Sequence, residues 1–423
     1  MTLMLVLLFI VNSADKVVLG IVAEPLREDL GLSASEFGLI GSAFFIAYTL
    51  GGLLAGQLNR WTGARTLLIL LAVSWSIAML PVVIWGTFFV LLASRIVLGV
   101  MEGPAAAIVH TALYSWHPVD KRGLPSAALS STASITKVAV APVLGLVAAA
   151  YSWHAAFLVL GLAGMFWAGA WLFAGREGPY IGQQHSAAEH PGADPAAGRV
   201  PWAKVFRSRT FLAASFTLFA MYMVNSAFLT WLPSYFESGL GFPRAQAAAM
   251  FALPGAFGII ALFALSATGD LLIRRGISSR IVRGIVPAVG ALLCGVSLIL
   301  PPVLADVSSS AWLPAVAVSI GYALGATIFP LFTAGLSELV PARQLPGTLG
   351  VLFAIMGLGG IVGPALIGLI LDAAATEGAG YIQAFRVFGI VAVIAGALAI
   401  LFFNPRCDRA AFERTTRAAR TAG

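Results

Sequence analysis

Twelve apolar runs, each long enough to cross about 30 Å of hydrocarbon at about 1.5 Å per helical residue, partition this chain almost from end to end. They fall at residues 2–23, 35–58, 65–86, 88–112, 124–149 and 154–174, and again at 210–236, 246–268, 283–304, 312–336, 346–372 and 384–403. In lipid, backbone N–H and C=O groups must be satisfied within the segment, so each run reads as an α-helix. Apolar residues make up 59% of the 423 residues and charged residues 10%. A soluble helical protein would carry charge on every turn of its outer face, and long stretches here carry none. The expected class is an all-α membrane protein of two six-helix bundles, at 1–174 and 210–403. Between them, 175–209 is rich in Gly, Pro, Ala and His and reads as a linker; 404–423 reads as a tail.

The loops orient the chain. With the N-terminus in the cytoplasm, nineteen of the 25 Lys and Arg residues fall in cytoplasmic segments, and external segments keep only Arg27, Arg244 and Arg386. That asymmetry is the one expected of a multi-pass protein of the cell's inner membrane with both termini cytoplasmic. The net charge of +7 therefore belongs to short loops between spans and points to no nucleic-acid partner. Met1 leads directly into the apolar run Leu3–Val11, with no basic stretch before it and no small-residue cleavage site, so this run reads as the first span.

Several function classes are excluded. Cys294 and Cys407 form no disulfide framework. With His110, His117, His154, His185 and His190 they show no metal-ligand spacing, so neither metal nor cofactor is expected. No phosphate-cradling G-x-x-x-x-G-K-[ST] loop is present to drive transport with ATP. An enzyme would need a nucleophile–base pair or a metal cluster near the spans, and none is visible. A non-transporting sensor would carry an added soluble domain, for which the linker and tail are too short. The halves echo each other at Gly56-Gln-Leu-Asn-Arg60-Trp-Thr-Gly-Ala-Arg65 and Gly269-Asp270-Leu-Leu-Ile-Arg-Arg275-Gly276. A duplicated six-helix unit with a midplane site is the expected plan of a secondary transporter.

Five ionisable residues lie inside the apolar runs: Asp15, Lys16, Arg95, Glu102 and Lys137. Each costs roughly 2.5–3.5 kcal/mol at a helix centre, so together they cost about 12–17 kcal/mol if they face lipid. They must face a polar cavity or one another. Three positive charges against two negative suit an anion, with carboxyls able to carry protons. An acidic cavity would instead suit the cationic or hydrophobic cargo of a drug/proton antiporter, the alternative within the same plan.

Asp15 and Lys16 are neighbours, about 100° apart around the first span, and so are poorly placed to pair. Lys16 either meets a substrate carboxylate, with Asp15 taking a proton, or joins an ion-pair network against the fourth or fifth span. Arg95 and Glu102 share a face of the fourth span about 10 Å apart along its axis, two stations of one path. Gly99 and Gly103 would let another helix approach there. Lys137 either lines the pocket or neutralises Asp15 or Glu102. Among uncharged groups, Tyr48, Tyr222 and Asn225 are candidate substrate contacts, with Tyr48 and Asn225 preferred over Trp231 and Tyr235. Arg60, Arg65, Asp270 and Arg275 read as cytoplasmic gates or as topology determinants. The second half keeps its charges Glu338, Asp372 and Arg386 near span ends.

Ordered motifs carry a resemblance. They are Asp15-Lys16, the run Gly38…Ser42-Ala-Phe44…Tyr48, Arg95…Leu-Gly…Glu102-Gly, Trp116-His-Pro…Lys121-Arg-Gly123 and Trp153-His-Ala-Ala-Phe157. Thr230-Trp-Leu-Pro-Ser-Tyr235 and Gly269-Asp270…Arg275-Gly276 complete the series. In this order they resemble the major facilitator superfamily, and within it the anion:cation symporters of organic anions. The resemblance implies proton-coupled uptake of carboxylates such as sugar acids by a monomer working by alternating access in the bilayer. It implies Lys16, Arg95 and Tyr48 as substrate ligands, and Asp15 and Glu102 as proton-coupling groups. Three departures stand out: Asn59-Arg60 where the gate motif usually has an acid, Lys16 in place of Arg, and an eleventh span, Gly350–Gly357, without the Asn usual in polyol-recognising relatives. The last leaves room for a more apolar or aromatic carboxylate.

Overall fold

The protein is described by a computed structural model covering residues 1–118, 121, 123–176, 178–180, 200–301, 310–341 and 344–421, with backbone alone at 55–61, 123, 124, 266, 267, 270, 273, 274, 346, 413 and 415–421. Every regular element among these residues is helical. Twelve helices are long and apolar enough to cross a membrane. The first six are Thr2–Ile21, Ala34–Leu53, Thr62–Ile84, Phe88–Tyr114, Pro125–Ala150 and Trp153–Ala174. The second six are Arg209–Gly239, Arg244–Leu265, Ile281–Ile299, Trp312–Leu336, Gly347–Ala373 and Glu377–Phe402.

The largest shift from expectation is in the twelfth span. Its run was expected at 384–403, but the helix starts at Glu377. Thr376 accepts a hydrogen bond from the Ala379 amide (3.2 Å), and Glu377 places a negative charge in the first turn. A cap and a first-turn acid begin a helix without adding hydropathy, which is why counting apolar residues misses that start. Arg386, expected near a span end, therefore lies well inside this helix, with its side chain exposed. A long guanidinium stem in such a place can carry its charge towards the interface.

The first span ends at Ile21, and a separate helix, Ala23–Leu30, closes on Gly31 at φ 60°. That left-handed position favours glycine. A capping box between Ser33 and Glu36 starts the second span. Asp372, at the end of the eleventh span, accepts from the amides of Ala34 (2.9 Å) and Ser35 (2.8 Å), adding an acid to the same helix start. The fourth span is two helices, Phe88–Glu102 and Ala105–Tyr114, parted at Gly103-Pro104. The fifth contains a π-helical turn, Thr136–Val140, which holds Lys137 just ahead of Pro142. The tail also forms a helix, Pro405–Thr421, and Asp408 in it accepts from the Thr210 amide at 2.9 Å.

The chain separates into two compact units. The first comprises Met1–Gly192, Ala227–Ala256 and Pro364–Tyr381. Within it the second and fourth spans touch through glycines. A Cβ on Gly99 would strike the Phe44 carbonyl, one on Gly103 the Tyr48 carbonyl, and one on Gly51 the Val100 carbonyl. The second unit comprises Ala193–Ser226, Phe257–Gly363 and Ile382–Gly423. Its ninth and twelfth spans touch at Gly295 and Gly389, where a Cβ on either would meet the other's carbonyl.

Candidate functional site

Close contact between the second and fourth spans aims Glu102 at the first span. Glu102 is the last residue before the Gly103-Pro104 break, and its side chain is 0% exposed. The Lys16 ammonium reaches it across 86 residues of sequence, with Nζ donating to Glu102 Oε2 at 2.6 Å. Lys16 also donates to the Asn12 carbonyl (3.1 Å) and to Asn12 Oδ1 (2.7 Å), one turn earlier on its own helix. An ammonium has three N–H donors, and these three oxygens account for all of them. Two rings flank the charge: Tyr48 with its centroid 5.3 Å from Nζ, and Phe44 at 6.0 Å. Both lie within cation–π range, and they stand one turn apart on the second span.

Asp15 is 1% exposed and forms no ion pair with Lys16 among the described residues. Arg95 packs behind it, also 1% exposed. Its Nη1 donates to the Asp15 carbonyl at 2.9 Å, and its guanidinium lies 5.3 Å from the Phe157 ring centroid. Arg95 Nε and Nη2, Asp15 Oδ1, Glu102 Oε1 and Asn12 Nδ2 are all buried without a hydrogen-bond partner among the described residues. Unsatisfied buried polar atoms normally cost about 1–3 kcal/mol each, so five in one region mark a place built for something other than stability alone. Lys137 is half-buried, with its Cβ close over Gly255 of the eighth span.

The remaining candidates fall in several places. In the second unit, Asn225 accepts from the Tyr322 hydroxyl at 2.6 Å, and Tyr222 meets the Phe329 ring edge-on at 6.1 Å. Tyr322 was not singled out from sequence; its lone phenol between Gly321 and Gly325 in an apolar span was the available signal. Arg65 donates to the Leu172 carbonyl (3.1 Å), and its own carbonyl accepts from Trp171 Nε1 (3.2 Å), tying the third span to the end of the sixth. Arg275 is exposed. The side chains of Arg60 and Asp270 lie outside the described residues.

Sequence reasoning also passed over Asn12 and Phe44, which touch or flank Lys16. Asn12 sits four residues before Lys16, the spacing at which helical side chains meet. At one rim of the first unit, Arg27 lies between Glu377 (3.3 Å) and Glu24 (3.4 Å), while Arg244 holds Glu237 (2.8 Å) and Glu28 (3.1 Å). From the sequence, Arg27 and Arg244 are legible only as charges of external segments.

Comparison with known proteins agrees with this architecture. The chain is 28% identical over 408 residues to the hexuronate transporter of Bacillus subtilis (strain 168), covering 95% of this chain and 94% of that protein. It is 28% identical over 414 residues to the probable sulfoacetate transporter of Cupriavidus necator, covering 94% and 92%. Among solved structures, that of a D-xylose-proton symporter superposes with a TM-score of 0.76 at 15% identity, covering 96% and 98% of the two chains, a likeness of fold. The family model of the Major Facilitator Superfamily matches residues 4–328. With twelve membrane helices and an ion pair to a buried carboxylate between its first and fourth spans, the chain belongs to the Major Facilitator Superfamily, as a multi-pass transporter of the inner membrane.

Proposed function

We propose that this protein takes up an organic anion, a carboxylate such as a sugar acid or an aromatic acid, together with protons, by alternating access, with both termini cytoplasmic. The observation that carries the reading is the Lys16–Glu102 pair. With every N–H of Lys16 engaged, the ammonium can accept a cargo carboxylate only by giving up an acceptor. Glu102 is the one that a proton can remove: once neutral, it no longer competes as an anion. Proton and cargo then enter together, and loss of the proton lets Glu102 return to Lys16 and expel the anion. The names of the hexuronate and sulfoacetate relatives support an anionic cargo.

In this reading Lys16 is the primary anion ligand, and Arg95 is the second, through the N–H groups it keeps without partners. Asp15, held by Arg95 through its carbonyl, is the second proton-coupling carboxyl. Tyr48 is a substrate contact beside the Lys16 charge; Tyr222, Asn225 and Lys137 are further substrate contacts. Arg65 and Arg275, with Arg60 and Asp270, act as gates at the cytoplasmic ends of spans. The carrier works as a monomer.

The test is uptake into proteoliposomes. Glu102→Gln, locked neutral, is expected to abolish proton-driven accumulation while sparing exchange of internal for external substrate. Loss of both activities would remove Glu102 from coupling. A thermal-shift screen that found stabilisation by hydrophobic cations and by no carboxylate would replace the symporter with the drug antiporter.

A further inference from the structure

Asn12 is buried in the first span, 3% exposed, and its amide serves two neighbours at once. Through Oδ1 and the backbone carbonyl it holds two of the three Lys16 donors. Its Nδ2 lies beside the Glu102 carboxyl without a hydrogen bond of good geometry, and Glu102 Oε1 likewise has none. The carboxylate of Glu102 thus has the Lys16 ammonium on Oε2 and the Asn12 amide beside it. That is the pattern of donors a free carboxylate would use. A hydrophobic residue at position 12 would hold the helix equally well, so packing alone does not explain a buried amide with an idle donor.

We propose that Asn12 is the neutral half of the anion seat: Lys16 and Asn12 Nδ2 together bind the cargo carboxylate, and Glu102 occupies that seat as an internal stand-in when no cargo is present. The inference rests on Lys16 as the anion ligand and adds the residue that completes its geometry. When Glu102 leaves, the two Asn12 oxygens keep Lys16 in place, so a single N–H is vacated rather than a freely moving ammonium. Beside it stands the amide donor, already ordered. Pre-ordering of both donors lowers the entropy lost on binding. Tyr48 and Phe44 stabilise the Lys16 charge during the exchange.

The charged and titratable groups that face the Asn12–Lys16–Glu102 cluster are Asp15 and Lys16 on its own helix, Tyr48 on the second span, and Arg95 and Glu102 on the fourth. Changing Asn12 alone alters the charge balance of this set in a known direction. Asn12→Leu removes the amide while keeping the number and branching of side-chain heavy atoms. Asn12→Asp keeps the size, exchanges the donor for an acceptor, and adds a group that must be protonated before an anion can sit there.

The experiment is titration of the purified full-length protein with glucuronate, gluconate and benzoate over a range of pH, following the probe that stabilises the wild type most. Asn12→Leu is expected to weaken that probe roughly 10- to 100-fold, the worth of a hydrogen bond to a charged group. Asn12→Asp is expected to steepen the dependence of log Kd on pH by about one proton. General loosening of the helix would lower affinity without changing that slope. If Asn12→Leu does not fold, the Asn12→Asp slope carries the test. Wild-type affinity and slope in both variants would overturn the role of Asn12 while leaving the transport reading in place. If none of the three probes stabilises the wild type, the carboxylate seat falls together with that reading.

Discussion

Glu102 and Glu338 are both carboxylates that meet cations, and they do so under opposite conditions. Glu102 lies in a span, with its side chain wholly buried, and among the described residues its one ion pair is with Lys16. Glu338, half-exposed just past the tenth span, meets Arg283 (3.1 Å), Arg406 (3.0 Å) and the Ser279 hydroxyl. Burial alone would raise the Glu338 carboxyl, but Ser279, Arg406 and Arg283 outweigh it and hold it below the usual carboxylate range. The wet cluster is redundant, so losing one partner leaves others and water. The dry pair is not redundant, so removing one charge strands the other. A single buried partner makes a poor fastening and a good switch, because one proton decides whether the pair exists.

Lys16→Ala tests that contrast most severely. It leaves Glu102 buried without its ion-pair partner and is expected to cost about 3–5 kcal/mol. Adding Glu102→Gln to it should restore most of the loss, read as thermal unfolding of the detergent-solubilised protein. A double variant as unstable as the single one would show that Lys16 acts by packing rather than by charge.

Glu24 offers a middle case: it is buried, yet lies in the short helix outside the spans. Burial holds its carboxyl above the usual range, with Ser234 and Arg27 drawing it part of the way back. A raised folded-state pKa means that the native chain binds this proton more tightly than the unfolded chain. Stability therefore falls as pH climbs from the unfolded to the folded pKa, and the penalty persists above both. Glu24→Gln escapes that penalty, so the variant should gain on the wild type as pH rises above about 4, the unfolded Glu value, and through the raised folded-state value. Melting temperatures across that range read the effect; a constant difference would mean that the Glu24 charge is not penalised by the fold.

The smallest effect belongs to Glu338. Its lowered folded-state pKa contributes stability above the unfolded pKa, and this is lost as pH falls through the folded value. Glu338→Gln should cost about 1 kcal/mol or less at neutral pH, and less again in high salt. A cost as large as that of Lys16→Ala would erase the distinction between the two regions.

Much of this molecule was legible in its residues. All twelve apolar runs became helices, because hydropathy and length decide whether a segment can sit in lipid. The start of the twelfth span was not legible, since Thr376 and Glu377 begin that helix by capping and charge. Asp15 and Lys16 were expected to be poorly placed to pair, and no ion pair joins them among the described residues, as the 3.6-residue turn requires. Lys16 had been given two roles, substrate ligand or network partner, and spacing along one helix had no means of choosing. The place of the Asn12 amide beside both Lys16 and Glu102 depends on a contact between two helices, which no pattern along one of them reveals.

The sequence by itself determined the membrane class, the twelve spans and the presence of buried charge in the first third of the chain. Each follows from local composition measured against the cost of placing polar groups in hydrocarbon. Only the tertiary structure decided which charges meet. Lys16 and Glu102 are 86 residues apart, and their contact depends on how far each helix is rotated about its axis. On the fourth span that rotation is set by Gly99 and Gly103 seating against the carbonyls of Phe44 and Tyr48, a fit between surfaces that no single segment encodes.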